Sequence, residues 1–268
     1  MNVDGSGKAG ADFSFGIARR SRNGGRNLQS HRAPLAVTLL DAGIHLDSAL
    51  CSALADRSTL RDSTVENFIR AESDLYMSAV ALKEDGFGKF EHHRELSPID
   101  AQNIIRQNRD TLYSAAVFDL DAGPVTITLP NAGKRFMSLQ VINEDMYSPP
   151  AIYAPVKRAY TRKEVGTRYM LAGVRTLVDP NDPADVKQVH TLQDTLKVEQ
   201  KSPGKFEMPK WDPVSQKKVR EALIVLATTL TGTSRSFGLK NEVDPIQHLV
   251  RRPRPGAAIR EKTRSISL

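Results

Sequence analysis

From Thr111 to Val178 the apolar pattern changes to short strand-like runs, and turn signals break them. This pattern constrains the fold more than any other feature of the chain. Val125-Thr-Ile-Thr-Leu129 reads as a half-buried strand. Leu112–Leu120 precedes it across the turn Asp121-Ala-Gly-Pro124, and Phe136–Ile142 follows it across Pro130-Asn-Ala-Gly133. Tyr169–Val178 is a further strand. Three consecutive strands joined by tight turns predict an antiparallel meander, because parallel pairing needs crossovers of a dozen residues or more.

On both sides the period lengthens to that of a helix. Ser63-Thr-Val-Glu66 has capping-box spacing, and Val65, Phe68, Ile69, Leu75, Tyr76, Ala79 and Val80 predict a helix over about 65–83. Ser97-Pro98 starts a shorter one. After Asp179-Pro-Asn-Asp-Pro183, Ala184–Glu199 and Val214–Leu230 read helical, with the only tryptophan, Trp211, in the loop between them. Asp244-Pro245 opens a last helix. The predicted class is α+β: an antiparallel β-sandwich-like sheet flanked by N-terminal and C-terminal helices. The domain is expected over 61–250, after a disordered or weakly structured segment 1–60 and before an aberrant basic tail 251–268.

The formal net charge of +7 belongs to the ends of the chain. Residues 1–34 carry six basic and two acidic groups, residues 249–268 six and one, and the rest 26 and 28. A basic face on a folded body would mark a nucleic-acid binder; charged tails do not, so no nucleic-acid partner is expected. No apolar run reaches the ~18 residues of a transmembrane span. Arg32, the apolar stretch 34–55 and Ala53-x-Ala55 outline an export signal, but Asp41, His45 and Asp47 interrupt it and its start lies too deep. A short amphipathic helix is the preferred reading, and localisation stays open. One cysteine, Cys51, rules out an internal disulfide and a cysteine-rich zinc site.

Four clusters could carry chemistry. Glu91-His92-His93-Arg94-Glu95 is the densest in titratable groups; imidazole and carboxylate can bind a divalent metal or move protons, yet adjacent histidines point apart in a strand. Asn108-Arg109-Asp110-Thr111 sits at a helix-to-strand junction, where Arg109 could fork a carboxylate or phosphate and Asp110 orient it. Asn143-Glu144-Asp145 ends a strand with oxygen ligands suited to a cation. Glu72 lies on the apolar face of its own helix, so it must be paired, metal-bound or shifted in its titration. Each cluster has a plain alternative in salt bridges, caps or solvated loops, and for Glu72 that alternative is an arginine partner. Glycine-rich nucleotide loops and the G-x-S-x-G elbow are absent.

The runs V-E-N-F-I-R-A-E-S-D-L-Y from Val65, G-K-F-E-H-H-R from Gly88, N-R-D-T-L-Y-S-A-A-V-F-D-L from Asn108 and M-S-L-Q-V-I-N-E-D from Met137 resemble the domain-of-unknown-function 1254 (DUF1254) family. S-P-G-K-F from Ser202 and W-D-P from Trp211 extend the likeness over about 65–249. The resemblance implies a β-sandwich-like module with helices, an exported or periplasmic setting, and a second, C-terminal β-rich domain of the 1214 type. It implies no settled catalytic residues. Met146 stands where relatives often carry His, which weakens a metal site there. The end of the chain departs from the family. Codons for W-G-G-N-P-G-E-D-A-I-Y-L, shifted by one base, can read G-A-A-I-R-E-K-T-R-S-I-S, the twelve residues 256–267. A frameshifted tail and a missing second domain are therefore expected.

Three functional readings follow. The first is an uncharacterised DUF1254-domain protein, truncated at its C-terminus. Its unpartnered apolar face, with Leu223, Ile224, Val225, Leu226 and Leu230 as candidates, would favour self-association. The second is a metal-assisted hydrolase of anionic or phosphorylated substrates. Glu72, His92, Arg109 and Asp110 would be its catalytic candidates, and His92, Glu144 and Asp145 would hold a divalent metal. The third is a small-ligand binding protein without catalysis, with a small anionic molecule as the natural ligand.

Overall fold

The computed structural model describes residues 59–96 and 109–251, all within one of the chain's two units, Ser52–Leu268. The expectations for the N-terminal segment up to residue 58, for Cys51, for the helix starting at Ser97 and for the tail from 252 lie outside these residues.

The chain forms an antiparallel α+β fold. Helix α1 spans Phe68–Ser78 and runs into a π-helical turn at Ala79–Lys83. The strands are β1 (Glu91–His93), β2 (Thr111–Asp119), β3 (Val125–Leu129), β4 (Met137–Asn143), β5 (Ile152–Tyr153) and β6 (Val156–Tyr160). After a short α2 (Arg162–Val165) come β7 (Tyr169–Leu177), α3 (Pro183–Asp194), β8 (Lys197–Glu199), α4 (Pro213–Ala227) and α5 (Pro245–Arg251). Every pairing between these strands is antiparallel. The strands make a five-stranded sheet, β1-β2-β7-β4-β5, and a three-stranded sheet, β6-β3-β8. One core joins them: Phe118 of β2, Leu139 of β4 and Met170 of β7 bury against Ile127 of β3 and Tyr160 of β6. Losing a side chain such as Phe118, fully buried here, costs about 3–5 kcal/mol in such a core.

The expected meander is not what forms. β7 inserts between β2 and β4, and β3 leaves for the other sheet. Asp119 explains the departure. Its buried carboxylate ends β2, accepting hydrogen bonds from Asp121 N (3.0 Å), Lys205 N (3.2 Å) and both Nε (3.1 Å) and Nη2 (3.0 Å) of Arg168. Burial alone would raise its pKa, but these donors outweigh burial and hold it low. The chain then turns through Leu120–Ala122 and Gly123, whose φ of 127° suits glycine, and enters β3 in the second sheet.

Two helix expectations are corrected. The capping box does not form: α1 begins at Phe68, Thr64 N donates to Asn67 Oδ1 (2.8 Å), and Ser63 N donates across to Ser215 Oγ (2.9 Å). The helical reading of 184–199 ends at Asp194, and Lys197–Glu199 becomes a strand on β3. There Val198 sits opposite Ile127 and packs on the core, which local propensity does not register. No helix among the described residues is long and apolar enough to cross a membrane.

Candidate functional site

Of the charged residues singled out in the sequence, Glu144 and Asp145 meet α1 at the end of β4, and Glu72 sits on α1 against α4. Arg70 bonds Glu144 through Nη1 (3.0 Å) and Asp145 through Nε (3.2 Å) and Nη2. Burial pushes the Arg70 pKa down, but the two carboxylates prevail and raise it. The other oxygen of Glu144 accepts the backbone N–H of Tyr169 (2.9 Å), so this buried carboxylate is used on both sides. Asn143 braces the same turn: its Oδ1 accepts from Asp145 N (3.0 Å) and Tyr147 N (2.9 Å). Met146 adopts a left-handed φ of 63° in this turn. His248 of α5 closes it, stacked on Tyr147 (4.7 Å) with Nε2 3.0 Å from the Asp145 carbonyl.

Glu72 is 2% exposed and bound to α4 by Gln216 Nε2 (2.7 Å) and Arg220. The arginine partner anticipated from its place on the apolar face is Arg220. Two turns of sequence logic missed Asp74, which is equally buried. Its Oδ2 accepts from Trp211 Nε1 (2.8 Å), and among the described residues its Oδ1 has no hydrogen-bond partner. Burial, aided by nearby Glu144 and opposed by the Trp211 bond, Arg70 and Arg61, raises its pKa to about 6.

The remaining candidates lie elsewhere. His92 is on the edge strand β1, with Nδ1 2.8 Å from Ser114 Oγ; burial, then Arg94, lowers its pKa. Ser114 also receives Gln193 of α3, so this contact ties an edge strand to a helix. Arg109 and Asp110 are exposed and precede β2. Asn143 is level with Met170, and Met170 with Phe118. The register therefore sets Arg109 and Glu144 at opposite ends of the sheet, about 30 Å apart at 3.3 Å per residue. Glu72, His92 and Glu144 each contact different partners, and Arg109 lies at the far end of the sheet from Glu144. Among the described residues no three His, Cys, Asp or Glu side chains are grouped so as to hold a metal ion.

A cleft of the right size lies on the other side of α4. Residues 62–66, α4 and α5 line an open groove of about 860 Å³. Its walls are mainly apolar, with Val219, Leu223 and Leu226 of α4 facing Ile246, Leu249 and Val250 of α5. Asp62, Ser63, Thr64, Glu66, Ser215 and Lys218 supply the polar rim. Leu223 is buried against Phe68, whereas Leu226 (52%) and Ile246 (67%) remain exposed. The apolar excess of the α4 sequence thus divides between core and groove. Arg61 fixes the near wall: it bridges to Trp211, donating N–H to the Lys210 carbonyl (2.7 Å), with its guanidinium 4.8 Å from the indole ring.

No curated protein matches the chain. Among solved structures, the crystal structure of the VPA0106 protein from Vibrio parahaemolyticus is similar, with a TM-score of 0.52 and 13% identity. The match covers 69% of this chain and 63% of that one, so this chain spans less than two thirds of its length. At that identity the likeness is one of fold. In sequence, residues 87–157, from the loop before β1 to the second residue of β6, match the family described as "Protein of unknown function (DUF1254)".

Proposed function

We propose that the chain is a binding protein without catalysis, whose ligand is a small amphipathic molecule with its apolar body in the α4–α5 groove. The observation that carries this reading is the groove itself. Its volume of about 860 Å³ falls in the range of small-molecule sites, and an apolar wall with a few polar groups at the rim is the usual composition of such sites. The charged candidates favour the same view, since Glu72, Glu144 and Asp145 are engaged by arginines that join elements of the fold. The domain is taken to extend well beyond the family match, over 61–250, because β2 and β4 pair with β7 and β3 pairs with β8.

Laurate is a suitable probe, with a flexible apolar chain and a single charge that Lys218 can meet at the rim. Titration into the full chain, read by displacement of an apolar fluorescent dye, should saturate at one equivalent. Ala222→Trp, which fills the groove from an exposed position, and Leu226→Gln should each weaken binding about tenfold or more. Equal affinity in both variants would refute the assignment. So would a dimer held through Leu226 that takes no laurate.

A further inference from the structure

One wall of the groove, residues 62–66, follows directly on Arg61, and Arg61 is clasped to the Trp211 segment. Arg61 N donates to the Lys210 carbonyl (2.7 Å), and Asp212 N donates to the Arg61 carbonyl (2.9 Å). The Arg61 guanidinium lies 4.8 Å from the centre of the indole ring. Helix α4 begins at Pro213, immediately after these residues. The clasp therefore joins the starts of two groove walls. It is an isolated bridge outside both sheets, with the Ser63 N to Ser215 Oγ bond (2.9 Å) beside it.

The clasp is held to α1 by one buried carboxyl group. Trp211 Nε1 donates to Oδ2 of Asp74 (2.8 Å), and Oδ1 has no partner among the described residues. The charged groups around Asp74 are Arg70 on its own helix, Glu144 at the end of β4 and Arg61 in the clasp. Arg70 is engaged by Glu144 and Asp145, and Arg61 lies over the indole. Burial, reinforced by Glu144, raises the Asp74 pKa to about 6 against the opposing pull of Trp211, Arg70 and Arg61. As a neutral acid the group is adequately served by one donor. As a carboxylate it is left with that single donor in a dry site, whereas water would solvate it fully.

We infer that Asp74 and the Arg61–Trp211 clasp form a proton-controlled latch on the groove: the clasp stays shut over the neutral acid and opens over the carboxylate, freeing residues 62–66. The latch itself stands on the clasp geometry, and its bearing on a ligand rests on the groove being a binding site. The shut clasp holds the Asp74 proton up to about pH 6, and the opened one releases it near the ordinary 3.8. Opening is therefore favoured as pH rises from about 4, and the gain levels off above about 7. With these two values the clasp opens about a hundredfold more often at pH 7.5 than it would with an uncharged residue at 74. So few bonds hold it that it opens locally, while the sheets stay folded.

Hydrogen exchange on the full chain, corrected for the intrinsic effect of pH, tests this. The amides of Arg61 and Asp212 report the clasp, and those of Ala172 and Val174 in β7, a strand paired on both sides, report global unfolding. At pH 7.5 the clasp amides of the parent should be at least tenfold less protected than those of β7. Asp74→Asn should protect the clasp amides about a hundredfold more at pH 7.5 and leave them unchanged near pH 4. The parent alone gives a second readout, because Trp211 is the only tryptophan and has one indole N–H. Protection of that N–H should fall about tenfold between pH 5 and pH 7.5. Laurate release at pH 7.5 should be at least tenfold slower from Asp74→Asn than from the parent. The latch is overturned if the clasp amides are as protected as those of β7, or if the indole N–H keeps its protection as pH rises. Equal laurate release from both chains overturns its control of the groove. A latch that responds as stated in a chain that takes no laurate refutes the groove reading alone.

Discussion

Replacing Asp74 by Asn should stabilise the protein at neutral pH, an uncommon outcome for a fully buried position. The carboxyl is 2% exposed, its Oδ1 has no partner among the described residues, and its pKa is about 6 against an ordinary 3.8. The folded chain therefore holds this proton more tightly than the unfolded one. Between about pH 4 and 6 each rise in pH favours the unfolded chain, and by pH 7 the accumulated cost is about 3 kcal/mol. Asn keeps an oxygen for Trp211 Nε1 and carries no charge, so most of that cost should vanish. The assay is urea denaturation followed by the fluorescence of Trp211, the only tryptophan and the direct partner of residue 74. Other carboxylates titrate in the same window, so the quantity to follow is the difference between variant and parent. That difference should be close to zero near pH 4 and reach about 2–3 kcal/mol in favour of Asn at pH 7.5. A variant destabilised at pH 7.5, or a difference that does not change with pH, would refute the reasoning.

Arg220→Ala should cost about 3 kcal/mol, because it strands the buried Glu72 carboxylate with Gln216 as its main partner; the same urea titration at pH 7 measures it, and a loss under 1 kcal/mol would show that Gln216 suffices. Asp185 has its pKa held at about 2 by Arg135 and by the Asp179 N–H. A depressed acid gives its stability above the unfolded pKa and loses it as pH falls, so Asp185→Asn should cost about 1–2 kcal/mol at pH 7 and almost nothing near pH 2. A cost that is the same at both pH values would contradict this pairing.

The sequence was most legible where one face of an element decides its pattern. Val125–Leu129 alternates because Val125, Ile127 and Leu129 enter the core, and the strand forms with the bounds read from the alternation. Glu72 was legible for the same reason: a carboxylate in an apolar stripe demands a partner, and helical spacing identifies the stripe. The helices α4 and α5 begin at Asp-Pro steps, with Asp212 and Asp244 accepting first-turn amides, so both starts were visible locally. Strands β1 and β6 escaped notice because their outward residues are charged. Lys157 and Arg158 pair with Glu199 and Glu164, not with an apolar neighbour in sequence. Asp74 escaped because a carboxylate beside an arginine on a helix reads as a surface pair, and its burial depends on Trp211, 137 positions away.

The sequence by itself determined the principal helices and the strands β2, β3, β4 and β7 with approximate bounds, the antiparallel character and the need to pair Glu72. Those follow from periodicity, turn chemistry and the cost of burying charge, all of which act within a few residues. Only the tertiary structure decided that β7 lies between β2 and β4, that β3 belongs to a second sheet, and that Arg109 and Glu144 stand at opposite ends of the fold. Strand order depends on contacts between residues far apart in the chain, and several orders satisfy the same alternation. The groove exists only once residues 62–66, α4 and α5 have been set side by side. A cavity is a property of the space between elements, and no single segment encodes it.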